Sequence, residues 1–414
     1  MVKIDIIKSI NNQIAFIDQS LVSLGNFLIG VLILRYLGLK EFGIFSIFWF
    51  ILYLIFSLQA ASIANILNST IKKSLNDRLF FNTTIFYCEI IFSIILSILL
   101  IPSLYLILNL LNIDYYNFYS LFFFYLLFQF NNFNKIIFYR YNLYLENLVN
   151  NLIVYLGSLI FIIYSNYNSN LSSQTFINFF TLLNLFTVLI FSKKLLKFFS
   201  FSNRKIKHFL EIWELSKWMI LSSITNLFCF NIWQINLAAN VDLALLGIYR
   251  ACHNLSSFLN VFFQAFENLF PKKFSTYFIK NTNLNSIIKF NFNFIKEVTV
   301  LIIPLIIILF IFLDKILFFV YGNDLILEYR YIFFTTFSVV LISIFKYPIS
   351  YTIRSFKLTK ILFTSNLIAA LFTVLFSNFI ISKFEINGFL FGIFFNQSIL
   401  SFLPIILFYF SYKK

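Results

Sequence analysis

Arg250 constrains this chain more than any other single residue. It lies within an otherwise apolar stretch running from Ala244 to Phe270. A guanidinium keeps its proton in a protein, and a charge at the centre of a bilayer costs about 2.5–3.5 kcal/mol on insertion scales. An anionic partner or a hydrated cavity must compensate. From Arg250 the polar residues recur at His253, Asn254, Ser257, Asn260, Gln264, Glu267 and Asn268. That spacing keeps them on one helical face. The face is about 25 Å long at 1.5 Å per residue, nearly the depth of a hydrocarbon core. Arg, His, Gln and Glu sharing one face favour a hydrated cavity over helix–helix packing.

Similar stripes occur elsewhere. One joins Ser222, Asn226, Cys229, Trp233, Asn236 and Asn240; another joins Gln19, Ser23, Asn26 and Gly30, with Asp18 beside them. Ser46, Trp49, Tyr53, Ser57, Ala60 and Ala64 form a third, which fits helix–helix packing as well as a cavity wall. The candidate substrate-binding residues are Arg250, His253, Asn254, Ser257, Gln264, Asn226, Trp233, Asn26, Ser23 and Trp49. Asp18, Glu89 and Glu267 are the carboxylates that can respond to a coupling ion. Asp18 and Glu267 lie near the cytoplasmic boundary, where they can also be hydrated, and Glu89 stands isolated in its apolar run. Lys135 and Arg140 can meet lipid phosphate at the inner surface. Arg35, at the outer end of its helix, reads as a snorkelling anchor.

The elements that must carry these residues are membrane helices. The chain has 414 residues, of which 60% are hydrophobic and 11% charged; soluble domains carry about 25% charged residues. The 62 Phe and 23 Tyr fit an AT-rich coding sequence and define no aromatic platform. Cys88, Cys229 and Cys252 fall in apolar runs without metal spacing. Runs of about 20 apolar residues mark transmembrane helices. Twelve occur, near 14–37, 42–67, 81–108, 118–137, 148–164, 176–196, 218–239, 244–270, 298–319, 331–351, 358–381 and 388–412. The first lacks a small-residue cleavage site and reads as a span, not a signal peptide.

Charge tests that number. With the N-terminus inside, the cytoplasmic segments hold 25 of the 31 Lys and Arg, and the outer loops hold five: Arg35, Lys40, Lys315, Arg330 and Lys383. Arg250 is the remaining one. The asymmetry alternates loop after loop, as the positive-inside rule requires. It puts both termini in the cytoplasm and explains the net charge of +15 by anionic lipid, with no nucleic-acid partner needed. The longest polar stretch, 193–217, divides the spans six and six, giving lobes 1–205 and 206–414. An even number per half implies a parallel repeat about an axis along the membrane normal. Gly43-Ile44-Phe45-Ser46 and Gly247-Ile248-Tyr249-Arg250 open the second span of each half, with Arg250 in the place of Ser46. The expected fold is therefore all-α and polytopic, with about twelve transmembrane helices in two six-helix lobes.

Enzyme chemistry finds no constellation. The chain has no Walker A sequence and no Gly-x-Ser-x-Gly elbow, and its two histidines make no usual metal centre. No cofactor is implied. The first outer loop, 39–41, has one carboxylate where a glycosyltransferase using a lipid-linked donor shows an acidic pair. Channel filters are also lacking. A secondary transporter with a midplane cavity fits best.

Three segments resemble a known family. Leu34-Arg35-Tyr36-Leu37-Gly38-Leu39-Lys40-Glu41-Phe42-Gly43-Ile44-Phe45 is similar to the hallmark between the first two helices of polysaccharide (O-antigen-type) flippases of the multidrug/oligosaccharidyl-lipid/polysaccharide exporter (MOP) superfamily. Gly247-Ile248-Tyr249-Arg250-Ala251 through Leu269-Phe270-Pro271 resembles that family's eighth helix, and Ile303-Pro304-Leu305 through Val320-Tyr321-Gly322-Asn323-Asp324 its ninth helix and exit turn. The resemblance implies a bacterial inner-membrane flippase for undecaprenyl-diphosphate-linked oligosaccharide repeat units, with a fold like that of multidrug and lipid II transporters. It implies Arg250 as the phosphate partner, and other polysaccharide-assembly membrane proteins as associates. Two alternatives stand beside it. A cation-coupled drug exporter of the same superfamily is expected to carry a deep carboxylate in its first or seventh span. A polysaccharide polymerase is expected to carry a long outer loop.

Overall fold

Nearly every residue described in the computed structural model is helical. The described residues are 2–64, 67, 75–110, 118–199, 206–256, 284–322, 330–356 and 358–413. Among them the chain forms α1 (Val2–Gln59), a π-helical turn (Ala60–Ala64), α2 (Leu75–Leu110), α3 (Phe118–Arg140), α4 (Tyr144–Tyr167), α5 (Ser173–Leu196), α6 (Ile206–Asn240), α7 (Leu243–Ser256), α8 (Leu284–Ile311), α9 (Leu313–Tyr321), α10 (Arg330–Ser355) and α11 (Lys360–Lys413).

Seven helices among the described residues are long and apolar enough to cross a membrane. Two of them, Ile17–Ile63 and Lys360–Ser411, contain 47 and 52 residues, more than twice the roughly 20 needed for one crossing. Each is broken inside. Gly38 interrupts α1 with φ 83 and ψ 177, a conformation open to glycine alone, and Glu385 interrupts α11 with φ 48 and ψ −128. Each break falls between two of the expected spans. α3 and α6 are long enough for a crossing but more polar: α3 alone holds Gln129, Asn131, Asn132, Asn134 and Lys135.

The helices are inside-out relative to a soluble protein. On α4 the buried face is Asn147, Asn150, Asn151, Val154, Tyr155, Ser158, Ile162 and Ser165, at helical spacing. Its outward face is Leu145, Val149, Leu156, Ile160, Ile163 and Tyr164. Lipid accepts the apolar side chains, so the polar groups turn inward and pair. Asn131 donates to Asn184 at 2.7 Å and accepts from Asn150 at 2.7 Å, tying α3, α4 and α5 together. Local signals set the ends: Ser172 and Thr175 form a reciprocal capping box at the start of α5, and Gly322 ends α9 in the left-handed conformation.

The chain packs as two compact units. Unit 1 comprises Met1–Leu37 and Ile44–Ser223; unit 2 comprises Gly38–Gly43 and Ile224–Lys414. The lobe boundary drawn from sequence, between 205 and 206, adjoins residues 200–205, which lie outside the described residues. Unit 1 has an apolar core that includes Ile63, Phe81, Phe133, Phe138, Phe191 and Ile212. Unit 2 has smaller ones around Cys229, Ala369, Ala370 and Leu400, and around Ile349, Ile353, Ile361 and Phe408.

Candidate functional site

Asp18 anchors the best-formed polar site. It sits on the first limb of α1 and is 1% exposed. The expectation of a hydrated carboxylate near the boundary is overturned: α3 and α4 enclose it. Its Oδ2 accepts from the Tyr139 hydroxyl at 2.5 Å and from Asn147 Nδ2 at 2.7 Å, and its Oδ1 accepts from Asn151 Nδ2 at 2.6 Å. Gln19 Nε2 donates to the Tyr139 oxygen at 2.8 Å. Three neutral donors hold the two carboxylate oxygens. The Oδ1 atoms of Asn147 and Asn151 are buried without a hydrogen-bond partner. A carboxylate flanked by unengaged amide oxygens is the donor set that oxygen-seeking cations use.

Neighbouring contacts fix α1 against α4. Tyr155 presses on Gly25, where a Cβ would lie 2.7 Å from its ring, and the Tyr155 hydroxyl accepts from Asn26 at 3.4 Å. Lys135 stands over the Tyr155 ring at 5.8 Å and within electrostatic reach of Asp18. Lys135 therefore lies where the Asp18 charge is felt. Arg140 is half-buried in the last turn of α3, and Arg35 is exposed three residues before the Gly38 break, as a snorkelling anchor would be. Ser23 is half-buried on the same limb.

Glu89 is also buried, at 0% exposure, and is held apart from Asp18 by a separate network. Its Oε1 accepts from Gln59 at 2.7 Å and from Ser93 at 2.8 Å. It is not isolated, as its apolar surroundings in the sequence suggest.

In unit 2, Arg250 is 8% exposed on α7, between Tyr249 and Ala251. Tyr249 packs edge-on against Phe389, and the Tyr321 hydroxyl donates to the Ala251 carbonyl at 2.8 Å. His253 and Asn254 are half-buried on the next turn, with the His253 ring 5.9 Å from that of Tyr249. Ser257, Gln264 and Glu267 lie outside the described residues. Asn226 is half-buried on α6, and its Oδ1 has no hydrogen-bond partner.

Both tryptophans are structural. Trp233 is 0% exposed, donates its indole N–H to Thr373 at 3.1 Å, and lies flat where a Cβ on Gly392 would fall. Trp49 is 7% exposed and packs on Phe45 and Phe180, with centroids at 5.0 and 5.6 Å. Packing against neighbouring helices accounts for both rings. Conversely Tyr139, Asn147 and Asn151 were not singled out from sequence. The signal was present: Asn147, Asn150 and Asn151 recur at helical spacing, but the expected span began at Leu148 and excluded the first.

No protein-family model and no curated protein matches this chain. Solved structures do. An inward-facing multidrug resistance MATE family transporter of the MOP superfamily superposes with a TM-score of 0.69 at 11% identity, covering 93% of each chain. The lipid II flippase MurJ, in an inward closed conformation, superposes with a TM-score of 0.60 at 16% identity, over 98% of this chain and 87% of that one. A MOP-superfamily transporter from Pyrococcus furiosus, described as having a binding pocket of reversed polarity, gives 0.58 at 11% identity over 95% and 92%. The fold is that of these MOP-superfamily transporters, and the seven long apolar helices among the described residues suit a multi-pass membrane protein.

Proposed function

We propose that this protein is an ion-coupled transporter that flips a lipid-linked oligosaccharide across the bacterial inner membrane, with both termini in the cytoplasm. Arg250 carries the reading of the cargo. Its guanidinium is 8% exposed in an apolar helix, and a diphosphate offers oxygens for bidentate, charge-assisted hydrogen bonds to such a group. In the same unit, His253, Asn254 and Asn226 are half-buried polar groups suited to sugar hydroxyls. The acyl tail can stay in lipid. Asp18 supplies the coupling: its enclosed carboxylate binds a cation, and release of that cation on one side of the membrane drives the cycle. The MurJ neighbour is described as a lipid II flippase, which supports a lipid-linked substrate in general.

A second reading, a cation-coupled drug exporter, gains from the burial of Asp18, because such a protein is expected to hold a deep carboxylate in its first span. The test is a strain in which the chromosomal copy is deleted. Supplying wild type should restore surface polysaccharide. Supplying Arg250→Ala should leave lipid-linked repeat units on the inner leaflet, seen by mass spectrometry, with the protein present in the membrane. Normal polysaccharide in that variant, with loss of resistance to cationic dyes in the Asp18→Asn strain, would favour the exporter.

A further inference from the structure

Glu89 belongs to neither the Asp18 cluster nor the Arg250 face. Three helical segments meet around it: the end of α1, the middle of α2, and α3. Glu89, Gln59, Gln129, Ser93 and Ser97 are all 0% exposed. Glu89, Ser93 and Ser97 form one stripe of α2 at four-residue spacing. Gln59 uses both hydrogens of its amide nitrogen, donating to Glu89 Oε1 at 2.7 Å and to the Gln129 backbone carbonyl at 2.8 Å. Gln129 Nε2 donates to Ser97 at 3.4 Å and to the Tyr125 carbonyl at 3.2 Å. Directly after Gln59 the chain turns π-helical over Ala60–Ala64. Such turns are rare and gather at functional sites.

Counting donors exposes a deficit. Glu89 Oε2, Gln59 Oε1 and Gln129 Oε1 are buried and without hydrogen-bond partners. All three are acceptors. Buried polar atoms are rarely left so, because an unmade bond there costs about 1–3 kcal/mol each, and more for a charged group. Among the described residues no Lys, Arg or His bonds Glu89. Its titratable neighbours along these helices are Cys88 beside it on α2 and Tyr125 on α3, one turn before Gln129; the end of α1 brings only uncharged Gln59. The missing particle is a donor. A proton on Glu89 Oε2 creates an O–H beside the amide whose nitrogen already binds Oε1, and Gln59 Oε1 is the acceptor it lacks. One proton removes the buried charge and pairs two of the three bare oxygens.

We infer that Glu89 and Gln59, backed by Gln129, form a buried proton-binding site within unit 1, an acid–amide clasp between the end of α1 and α2. Loss of the proton leaves Glu89 Oε2 and Gln59 Oε1 both without a donor and opens the clasp at the π-helical turn. The inference goes beyond the cargo reading and holds whatever the cargo is.

The test uses the full-length protein in sodium-free lipid vesicles at neutral pH. Infrared spectra should show a protonated-carboxyl band that disappears in Glu89→Gln and persists in Asp18→Asn. Glu89→Gln puts an N–H where the proton would sit, so it should fold. Its thermal midpoint should stay flat as pH rises while that of wild type falls, because a native state that binds more protons than the unfolded chain loses stability with rising pH. Parallel pH profiles with no Glu89-dependent band would overturn the proposal. So would a band erased by adding sodium at constant pH, which would make the occupant a metal ion.

Discussion

Gly43 and Gly247 meet back to back in unit 2. A Cβ on Gly43 would fall on the carbonyl oxygen of Leu243 and lie 3.5 Å from the Gly247 nitrogen; a Cβ on Gly247 would fall on the carbonyl oxygen of Leu39 and lie 3.4 Å from the Gly43 nitrogen. Leu39 and Leu243 are 204 residues apart, and so are Gly43 and Gly247. The contact is therefore reciprocal: each glycine admits the residue four places before the other.

Alanine at either glycine should destabilise the protein to a similar extent. The added methyl meets backbone, which cannot rotate away, so overpacking of about 1–3 kcal/mol is expected at each site. Thermal unfolding in detergent checks this. If the contact is reciprocal, the double variant should lose less than the sum of the singles, since one displaced helix start relieves both clashes. Strictly additive losses would argue against a shared contact.

Gly38→Ala should also destabilise, for a different reason. With φ 83 and ψ 177 the residue occupies a region that a Cβ excludes, although nothing lies within 4 Å of the position. The cost is conformational, about 1–3 kcal/mol. Glu385→Gly runs the other way: φ 48 with ψ −128 is strained for glutamate, so glycine there should raise the thermal midpoint.

Much of this architecture was legible in the sequence, for a physical reason. A crossing helix must be long and apolar, so long helices were expected where they are found, and both long helices break between two expected spans. Gly38 falls where the first outer loop was expected. The interior was harder to read. Trp233 stood on a polar stripe and suggested a ligand surface, yet the stripe faces Thr373 and Gly392, because in lipid a polar stripe pairs with other helices as readily as it lines water. Asp18 seemed shallow by position along its helix. Only the folding of α3 and α4 over it made it an interior group, and no local pattern in α1 records that.

Trp233 offers a clean separation of packing from binding. Trp233→Phe removes the bond to Thr373, at about 1 kcal/mol, and part of the contact with Gly392. Stability should fall while transport by the remaining folded protein is unchanged. A specific loss of cargo recognition, with the thermal midpoint preserved, would return the indole to the binding surface.

Asp18→Asn should keep the cluster's shape and lose its charge. Tyr139, Asn147 and Asn151 still have an oxygen to meet, so insertion and folding should persist. Cargo movement in proteoliposomes should then stop responding to an imposed proton or sodium gradient, and residual movement should run only down the cargo's own gradient. A variant that still concentrates cargo against its gradient would place the coupling elsewhere.

Arg250 separates charge from geometry. If it pairs with a diphosphate, Arg250→Ala should abolish flipping, and Arg250→Lys should restore only part of it, since an ammonium supplies the charge without the planar fork that grips two oxygens at once. Flipping at increasing salt distinguishes the two contributions. A buried pair is screened weakly, so wild type should change little, whereas a lysine variant that depends on long-range attraction should weaken. Equal activity of the arginine and lysine forms at all salt concentrations would mean that Arg250 contributes charge alone. Equal activity of the alanine form would remove it from the site.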